Sequence, residues 1–453
     1  MTDSLSPEKQ ALFESLPIPK AVARLAIPTV VSSLVMILYN LTDTFFVGML
    51  NDPIETAAVT LVAPVILLFN AVNNLFGVGT GSMISRSLGQ HDYENVKRTA
   101  SFGFYSALLS GILFSVLSIL FRDPLLVLLG AKAENLESTT EYMRWTVFCG
   151  AAPAILNVVL GNMVRSEGSS VHATVGTISG CLLNMLLDPF FILPEYLGMG
   201  AAGAGLATFL SNLVACVYFF FYVYFKRKSS FVNVSPKYAI PNKLILKEVF
   251  GVGVPAAIQN ILNVCGMTIL NNKMAKYGTE AVSAMGIAHK IGMLPMYVSM
   301  GIGQGIMPLI GYNYSAGNKK RIRVTLLFTT AVSGILVVFI ACTFILFPGA
   351  VIRGFMDNPI VVEYGSAFLR GICFASPFLA MDFLAVGVFQ ACGLGRYSFR
   401  FAVARKILLE IPAILLLDKL FPMYGIAYSQ LCAEAVLAVI SVFLLRKIVR
   451  DRQ

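Results

Sequence analysis

IPTVVSSLVMILYNLTDTFFVG, residues 27–48, contains no lysine or arginine and a single acid, Asp43. Coiled as an α-helix rising about 1.5 Å per residue, such a stretch is long enough to cross ~30 Å of hydrocarbon. Lipid offers the backbone no water, so a segment that crosses it must satisfy its own N–H and C=O groups, which a helix does. The same pattern recurs along the chain. Apolar runs at 21–50, 55–86, 97–121, 142–164, 171–193, 199–225, 245–275, 280–315, 322–347, 361–392, 397–418 and 424–446 predict twelve spans. Composition agrees: 57% of the 453 residues are hydrophobic and 13% are charged, against about 25% charged in a soluble domain. The fold class expected is all-α integral membrane, with a lipid bilayer as solvent. The polar start, MTDSLSPEKQALFESLPIPK (1–20), has no short apolar core or cleavage site and does not read as a signal peptide. The first span is expected to direct the chain to the membrane.

Orientation follows from the lysines and arginines between spans. With the N-terminus inside, 25 of the 34 basic residues fall on the cytoplasmic side and 8 on the other. Lys290 lies within a span. Arg405 and Lys406 are counted with the cytoplasmic set, as are Arg227, Lys228 and Arg452. Both termini are therefore expected in the cytoplasm, and the net charge of +10 reads as a topology signal rather than a nucleic-acid surface.

The chain also repeats itself. Pro28 pairs with Pro255, Gly77-Val78-Gly79-Thr80-Gly81 with Gly301-Ile302-Gly303-Gln304-Gly305, and Cys149-x-Ala151-x-Pro153 with Cys373-x-Ala375-x-Pro377, at offsets of 227, 224 and 224 residues. Three matches in one register make a duplication. Six spans per half return the chain to its starting side, so the repeats are parallel, and a substrate cavity is expected between two lobes. The expected domains are an N-terminal six-helix lobe (1–225), a cytoplasmic linker (226–246) and a C-terminal six-helix lobe (247–453).

Several tempting signals carry no chemistry here. The glycines of 77–81 lie inside an apolar span with no preceding strand, so they suit close helix packing rather than a dinucleotide. Seven of the eight cysteines fall inside apolar runs and none has C-x-x-C spacing, which suits packing rather than metal or redox work. His91, His172 and His289 are scattered. No P-loop Gly-Lys-Ser/Thr is present, so ATP-driven transport by this chain has no support. No catalytic constellation, cofactor or metal is expected.

Ionisable residues within spans are costly and therefore functional candidates. Asp43 in span 1 lies seven residues before Leu50, and Asp188 in span 5 lies five before Leu193. Both spans run outward, so the two acids share a depth. Each has a polar neighbour one turn earlier, Tyr39 and Asn184, on the same helix face. Pro189 removes a backbone donor and frees a carbonyl beside Asp188. Thr208 and Asn157 lie at compatible depths, with Asn162 competing with Asn157. A purely structural role, Asp188 ending its helix beside Pro189 and Asp43 near enough to the surface to be solvated, is the alternative. The C-terminal half differs: the Pro28/Pro255 register puts Leu270 where Asp43 stands, and the half instead carries Lys290, Asp382, Glu410 and Glu434, with Gln259, Asn260 and Asn263 in span 7. A lone buried charge is costly, so Lys290 is expected to pair with one of these acids. Tyr39, Asn157, Gln259, Asn260, Asn263, Lys290 and Asp382 are the candidates for the substrate cavity.

The stretch quoted first, RSEG (165–168), NMLLDPFFI (184–192), GMGAAGAGLAT (198–208) and GIGQGIMPLIGYNYSAGNKKRIR (301–323) together resemble the multidrug and toxic compound extrusion family. The resemblance covers essentially the whole chain and looks closest to the bacterial branch that includes the DNA-damage-inducible protein F and related Gram-positive drug exporters. It implies a monomeric inner-membrane antiporter that expels small organic, often cationic, compounds in exchange for H⁺ or Na⁺. It also implies a V-shaped pair of six-helix lobes and an ion-coupling network at Asp43, Asn184, Asp188 and Thr208, with Na⁺ at Asp43 and Asp188 as the other choice of ion. The rivals are a lipid-linked oligosaccharide flippase of the same superfamily and a polytopic membrane transferase. The flippase would have additional spans and a basic central cavity, where this chain offers essentially Lys290. The transferase would need a clustered acid or histidine motif near a membrane face, and none is visible.

Overall fold

The computed structural model describes residues 5–50, 52–226 and 230–450; Arg227, Lys228 and Arg452 of the basic tally lie outside the described residues. Every expected span is a helix. Among the described residues, nine helices are each long and apolar enough to cross a membrane: Ile18–Met49, Pro53–Gly89, Tyr93–Leu120, Ser170–Ile192, Gly200–Phe225, Lys243–Tyr277, Thr279–Ser315, Lys319–Leu346 and Pro359–Ala391. Span 4 is a bent pair, Leu136–Cys149 and Ala151–Ser166, at 46°. Span 11 runs through Gly395–Val403, a π-helical turn at Ala404–Glu410 and Ile411–Leu420, and span 12 is Tyr424–Arg450.

Local chemistry sets the helix starts. Asp52 Oδ1 accepts from Ile54 N at 2.8 Å with Pro53 at the first helical position, and Asn358 Oδ1 does the same for Ile360 N at 3.0 Å ahead of Pro359. Turns repeat between the halves, at an offset of 226 residues. Before span 3, His91 is left-handed, Asp92 N donates to Ser87 O at 2.9 Å, and Asp92 Oδ1 caps Asn95 N at 3.1 Å. Before span 9, Gly317 is left-handed, Asn318 N donates to Asn313 O at 2.9 Å, and Asn318 Oδ1 caps Arg321 N at 3.0 Å. The chain is thus duplicated in backbone geometry as well as in motif.

The helices sort into two compact units, and the division does not follow the halves of the sequence. One unit comprises residues 1–15 and 35–257; the other comprises 16–34 and 258–453. Spans 1 and 7 are each divided on the C-terminal side of their prolines, after residue 34 beyond Pro28 and after residue 257 beyond Pro255. The segment expected as the cytoplasmic linker groups with the first unit. Ser101 Oγ donates to Asn233 O at 2.8 Å, Tyr105 OH to Val234 O at 3.0 Å and Ser230 Oγ to Glu167 Oε2 at 2.8 Å. Glu167, the acid of RSEG, also accepts from Tyr222 OH at 2.6 Å and pairs with Lys9 Nζ at 3.0 Å.

The two glycine motifs explain how the divided helices are received. In the first unit, a Cβ on Gly79 would lie 2.5 Å from the carbonyl oxygen of Val249, and one on Gly253 would strike that of Leu75. In the second, a Cβ on Gly301 would come within 2.8 Å of Val30 Cα and one on Gly305 within 2.6 Å of Ala26 Cα. Both motifs serve backbone-to-backbone approach of a span-1 or span-7 segment, which only a residue without a side chain allows.

Candidate functional site

Within the first unit, spans 1, 5 and 6 bring the N-terminal candidates together. Asp188 is wholly buried in the helix Ser170–Ile192, so it neither caps nor ends that helix. Asn184, 1% exposed and one turn earlier, donates from Nδ2 to Asp188 Oδ2 at 3.0 Å and accepts at Oδ1 from Thr208 N at 3.1 Å when its amide is oriented to satisfy both ends. This single amide ties span 5 to span 6. Asp43, half-buried on span 1, lies within electrostatic reach of Asp188. Tyr39 lies near Thr208 and within electrostatic reach of both acids. Pro189 has no N–H to give to the carbonyl four residues earlier, on Met185, which adds a neutral oxygen beside Asp188.

Two atoms of this group have no hydrogen-bond partner although they are buried: Asp43 Oδ1 and Asp188 Oδ1. Buried acceptors of that kind are rare, and each needs a proton, an ion or a water to satisfy it. Tyr142, buried on span 4, also bears on Asp43, Asp188 and Tyr39. The sequence holds 17 tyrosines with nothing to single this one out.

Other expected members sit elsewhere. Asn157 Nδ2 donates to Asn212 Oδ1 at 2.7 Å, a bridge between spans 4 and 6. Asn162 Oδ1 accepts from Arg165 at 3.0 Å, and its side chain lies against Gly77. Gln259, Asn260 and Asn263 are half-buried on span 7 in the second unit, where Asn260 Oδ1 has no partner.

The second unit corrects the expectation for Lys290. That lysine is exposed, and among the described residues it forms no ion pair. Two of the acids it was expected to meet, Glu434 and Glu410, are taken by Arg405 and Lys406, which count as cytoplasmic in the charge tally but are buried, 5% and 9% exposed. Removing them leaves 23 basic residues against 8, so the asymmetry stands. Both ride on the π-helical turn Ala404–Glu410 of span 11, a form that shifts the register of a helix and gathers at functional places. Arg405 Nε donates to Glu434 Oε1 at 2.8 Å, and its guanidinium lies 5.5 Å from the centre of the Phe383 ring. Lys406 Nζ lies 2.7 Å from Glu410 Oε1 and 2.6 Å from Oε2. Asp382 Oδ1 accepts from Ser441 Oγ at 3.0 Å. The cations win their acids by nearness: Lys406 is one turn from Glu410 on the same span, and span 12 packs directly on the π turn.

Comparison with known proteins gives this arrangement a family. The MatE family model matches the chain twice, over residues 28–190 and 255–416, one match per repeat. The Multidrug export protein MepA of Staphylococcus aureus (strain N315) is 32% identical over 444 residues, covering 97% of this chain and 96% of that protein. MepA of Staphylococcus haemolyticus (strain JCSC1435) is 31% identical over 439 residues, covering 96% and 95%. A solved structure of the outward-facing conformation of a multidrug resistance MATE family transporter of the MOP superfamily superposes with a TM-score of 0.92 at 25% identity, covering 98% of both chains. A duplicated chain of apolar helices that this family's model matches once in each half belongs to the MatE family of multidrug efflux transporters.

Proposed function

We propose that this chain is a secondary antiporter that exports small organic cations from a bacterial cytoplasm in exchange for protons, with Asp43 and Asp188 as the coupling pair. The observation that carries the reading is the pair itself: two carboxylates within electrostatic reach, each with a buried oxygen that has no hydrogen-bond partner. Two such groups in a low-dielectric interior do not both stay ionised without a compensating cation, so the pair binds and releases positive charge. Asn184 and Thr208 position Asp188, and Tyr39 lines the approach from span 1.

The coupling follows from differential binding. A carboxylate pair loaded from outside and emptied inside favours one of two conformations in each state, and a cationic substrate competes for the same negative charge. Proton coupling needs only the two carboxyl groups. Sodium coupling would also draw on the Asn184 and Thr208 oxygens and on the Met185 carbonyl. The expected placement is in the inner membrane with both termini cytoplasmic, which supports uptake of substrate from the cytoplasm.

Purified protein in liposomes tests this. A pH gradient in sodium-free buffer is expected to drive export of a fluorescent organic cation, and Asp43→Asn or Asp188→Asn is expected to abolish it while the protein still folds. Full coupled activity in either variant removes the pair from the mechanism, and a strict sodium requirement overturns the choice of proton.

A further inference from the structure

The polar start of the chain is not idle. PEKQALFE, residues 7–14, forms a short helix, Pro7–Glu14, ahead of span 1. Lys9, Leu12 and Phe13 stand at i, i+3 and i+4 and so share one face of it. Leu12 is 2% exposed and Phe13 is wholly buried, whereas Glu8, Gln10 and Glu14 on the other faces are exposed. The buried face is seated on the turn RSEG. Gly168 is left-handed there, and a Cβ on it would lie 2.9 Å from Phe13 Cζ and 3.2 Å from Leu12 Cδ2. Glycine thus allows both the turn and the close approach of the ring. Beside it Glu167 pairs with Lys9 Nζ at 3.0 Å, accepts from Tyr222 OH on Oε1 and accepts from Ser230 Oγ on Oε2. Among the described residues, Lys9 is the one cation paired with this buried carboxylate.

The seat and the next anchor leave almost no slack between them. Residues 1–15 group with the first unit and Leu16 opens the second. Leu16 O accepts from Arg321 Nη2 at 2.7 Å within that second unit. Three residues separate Phe13 from Leu16, a length of chain that spans at most about 10 Å. The other two crossings between units, at 34/35 and 257/258, lie inside the continuous helices Ile18–Met49 and Lys243–Met274. Along span 1 the interior crossing is about 27 Å from Leu16 at the rise of a helix. A rearrangement that bends the chain at the interior crossings therefore displaces Leu16 far more than Leu34, and the short connection passes that pull to the helix 7–14. Eight residues are too few to hold a helix in water alone. The segment is either seated and helical or released and unfolded.

We propose that the helix 7–14 is a releasable strap, with Glu167 and Gly168 as its catch. It is seated while the transporter is closed on the side where the chain begins, and it is drawn from its seat when that side opens. Seated and released states differ by one ion pair and two buried apolar side chains, so the seat adds its binding free energy to the closed state and biases the cycle. The strap needs no particular coupling ion, and the inference stands whether or not Asp43 and Asp188 are the coupling pair.

A reversible lock tests it. Lys9 and Ser230 meet on the two oxygens of Glu167, so Lys9→Cys/Ser230→Cys in a chain cleared of its native cysteines can be bridged by a reducible bis-thiosulfonate reagent. Both positions lie in the first unit, so the bridge ties neither unit to the other and acts only through the strap. Downhill efflux of ethidium from loaded liposomes is the readout, since it needs no choice of coupling ion. Bridging is expected to slow efflux at least tenfold, reduction to restore it, and the same reagent to leave either single-cysteine chain unaffected. A bridged protein that transports at the unbridged rate shows a fixed structural anchor and overturns the proposal. Should the cysteine pair not fold, hydrogen exchange on the unaltered chain decides. The amides of 7–15 are expected to exchange at least tenfold faster during ethidium turnover than in idle protein, and equal exchange in the two conditions overturns the strap.

Discussion

The two units share a backbone plan and differ in how they handle charge. In the first, Asp43 and Asp188 face Asn184, Thr208 and tyrosines, and among the described residues no lysine or arginine joins them. In the second, three acids are interleaved with Arg405 and Lys406 on a single π-helical turn. A duplicated scaffold has thus kept its turns, caps and glycine contacts while its buried chemistry diverged. Helix packing depends on small residues and on turn geometry, which both halves need. Ionisable groups within spans answer to function rather than to packing, so they are free to differ between the two copies.

The comparison breaks most sharply at the first unit. Asp43→Asn or Asp188→Asn is expected to bring pH-driven export down to the level of empty liposomes, with stability changed by less than about 1 kcal/mol, since an amide of the same shape replaces an incompletely satisfied acid. Transport and thermal unfolding on the same preparation check both halves of that statement. The second unit should respond in the opposite way. Arg405→Met leaves Glu434 buried and unpaired and is expected to cost about 3–5 kcal/mol, read as lost expression or a lowered unfolding temperature; Arg405→Met/Glu434→Met should recover much of it. A large transport loss with unchanged stability in Arg405→Met would show that Arg405 serves transport rather than the holding of Glu434.

Smaller effects sharpen the shared scaffold. Gly305→Leu drives a side chain into the Ala26 backbone and is expected to cost about 1–3 kcal/mol by overpacking. Gly251→Ala, where an added Cβ meets nothing within 4 Å, should be neutral or stabilise by about 0.5–1 kcal/mol, because alanine suits a helix better than glycine. Equal losses at both positions would show that the motif glycines are there for flexibility rather than for contact. Lys290→Ala should change stability by less than about 0.5 kcal/mol, as for an exposed side chain with no ion pair. A loss of several kcal/mol would restore the pairing that burial costs alone suggest for it.

Asp43 and Asp188 are legible in the sequence because acids are rare in apolar runs and topology alone puts them at one depth. Asn184 follows from helical spacing. Tyr142 does not, since a tyrosine in a membrane helix is ordinary. A charge tally misplaces Arg405 and Lys406 for a definite reason: they lie inside the run 397–418, twelve and thirteen positions past Gly393, and a tally assigns them to the nearer end of that run. The π turn that buries them leaves no mark in hydropathy, and Glu434 is 29 residues away on the next span.

Whatever depends on neighbouring residues is written along the chain: apolar runs long enough to cross lipid, the duplication and its register, the gathering of positive charge in alternate loops, and the acids that have no place in hydrocarbon. Which unit receives each part of spans 1 and 7, which cation holds which carboxylate, and which oxygens are left unsatisfied are decided only in three dimensions. Hydropathy sums along the chain, whereas the partner of a buried charge is whichever group the packing of distant helices brings within about 3 Å.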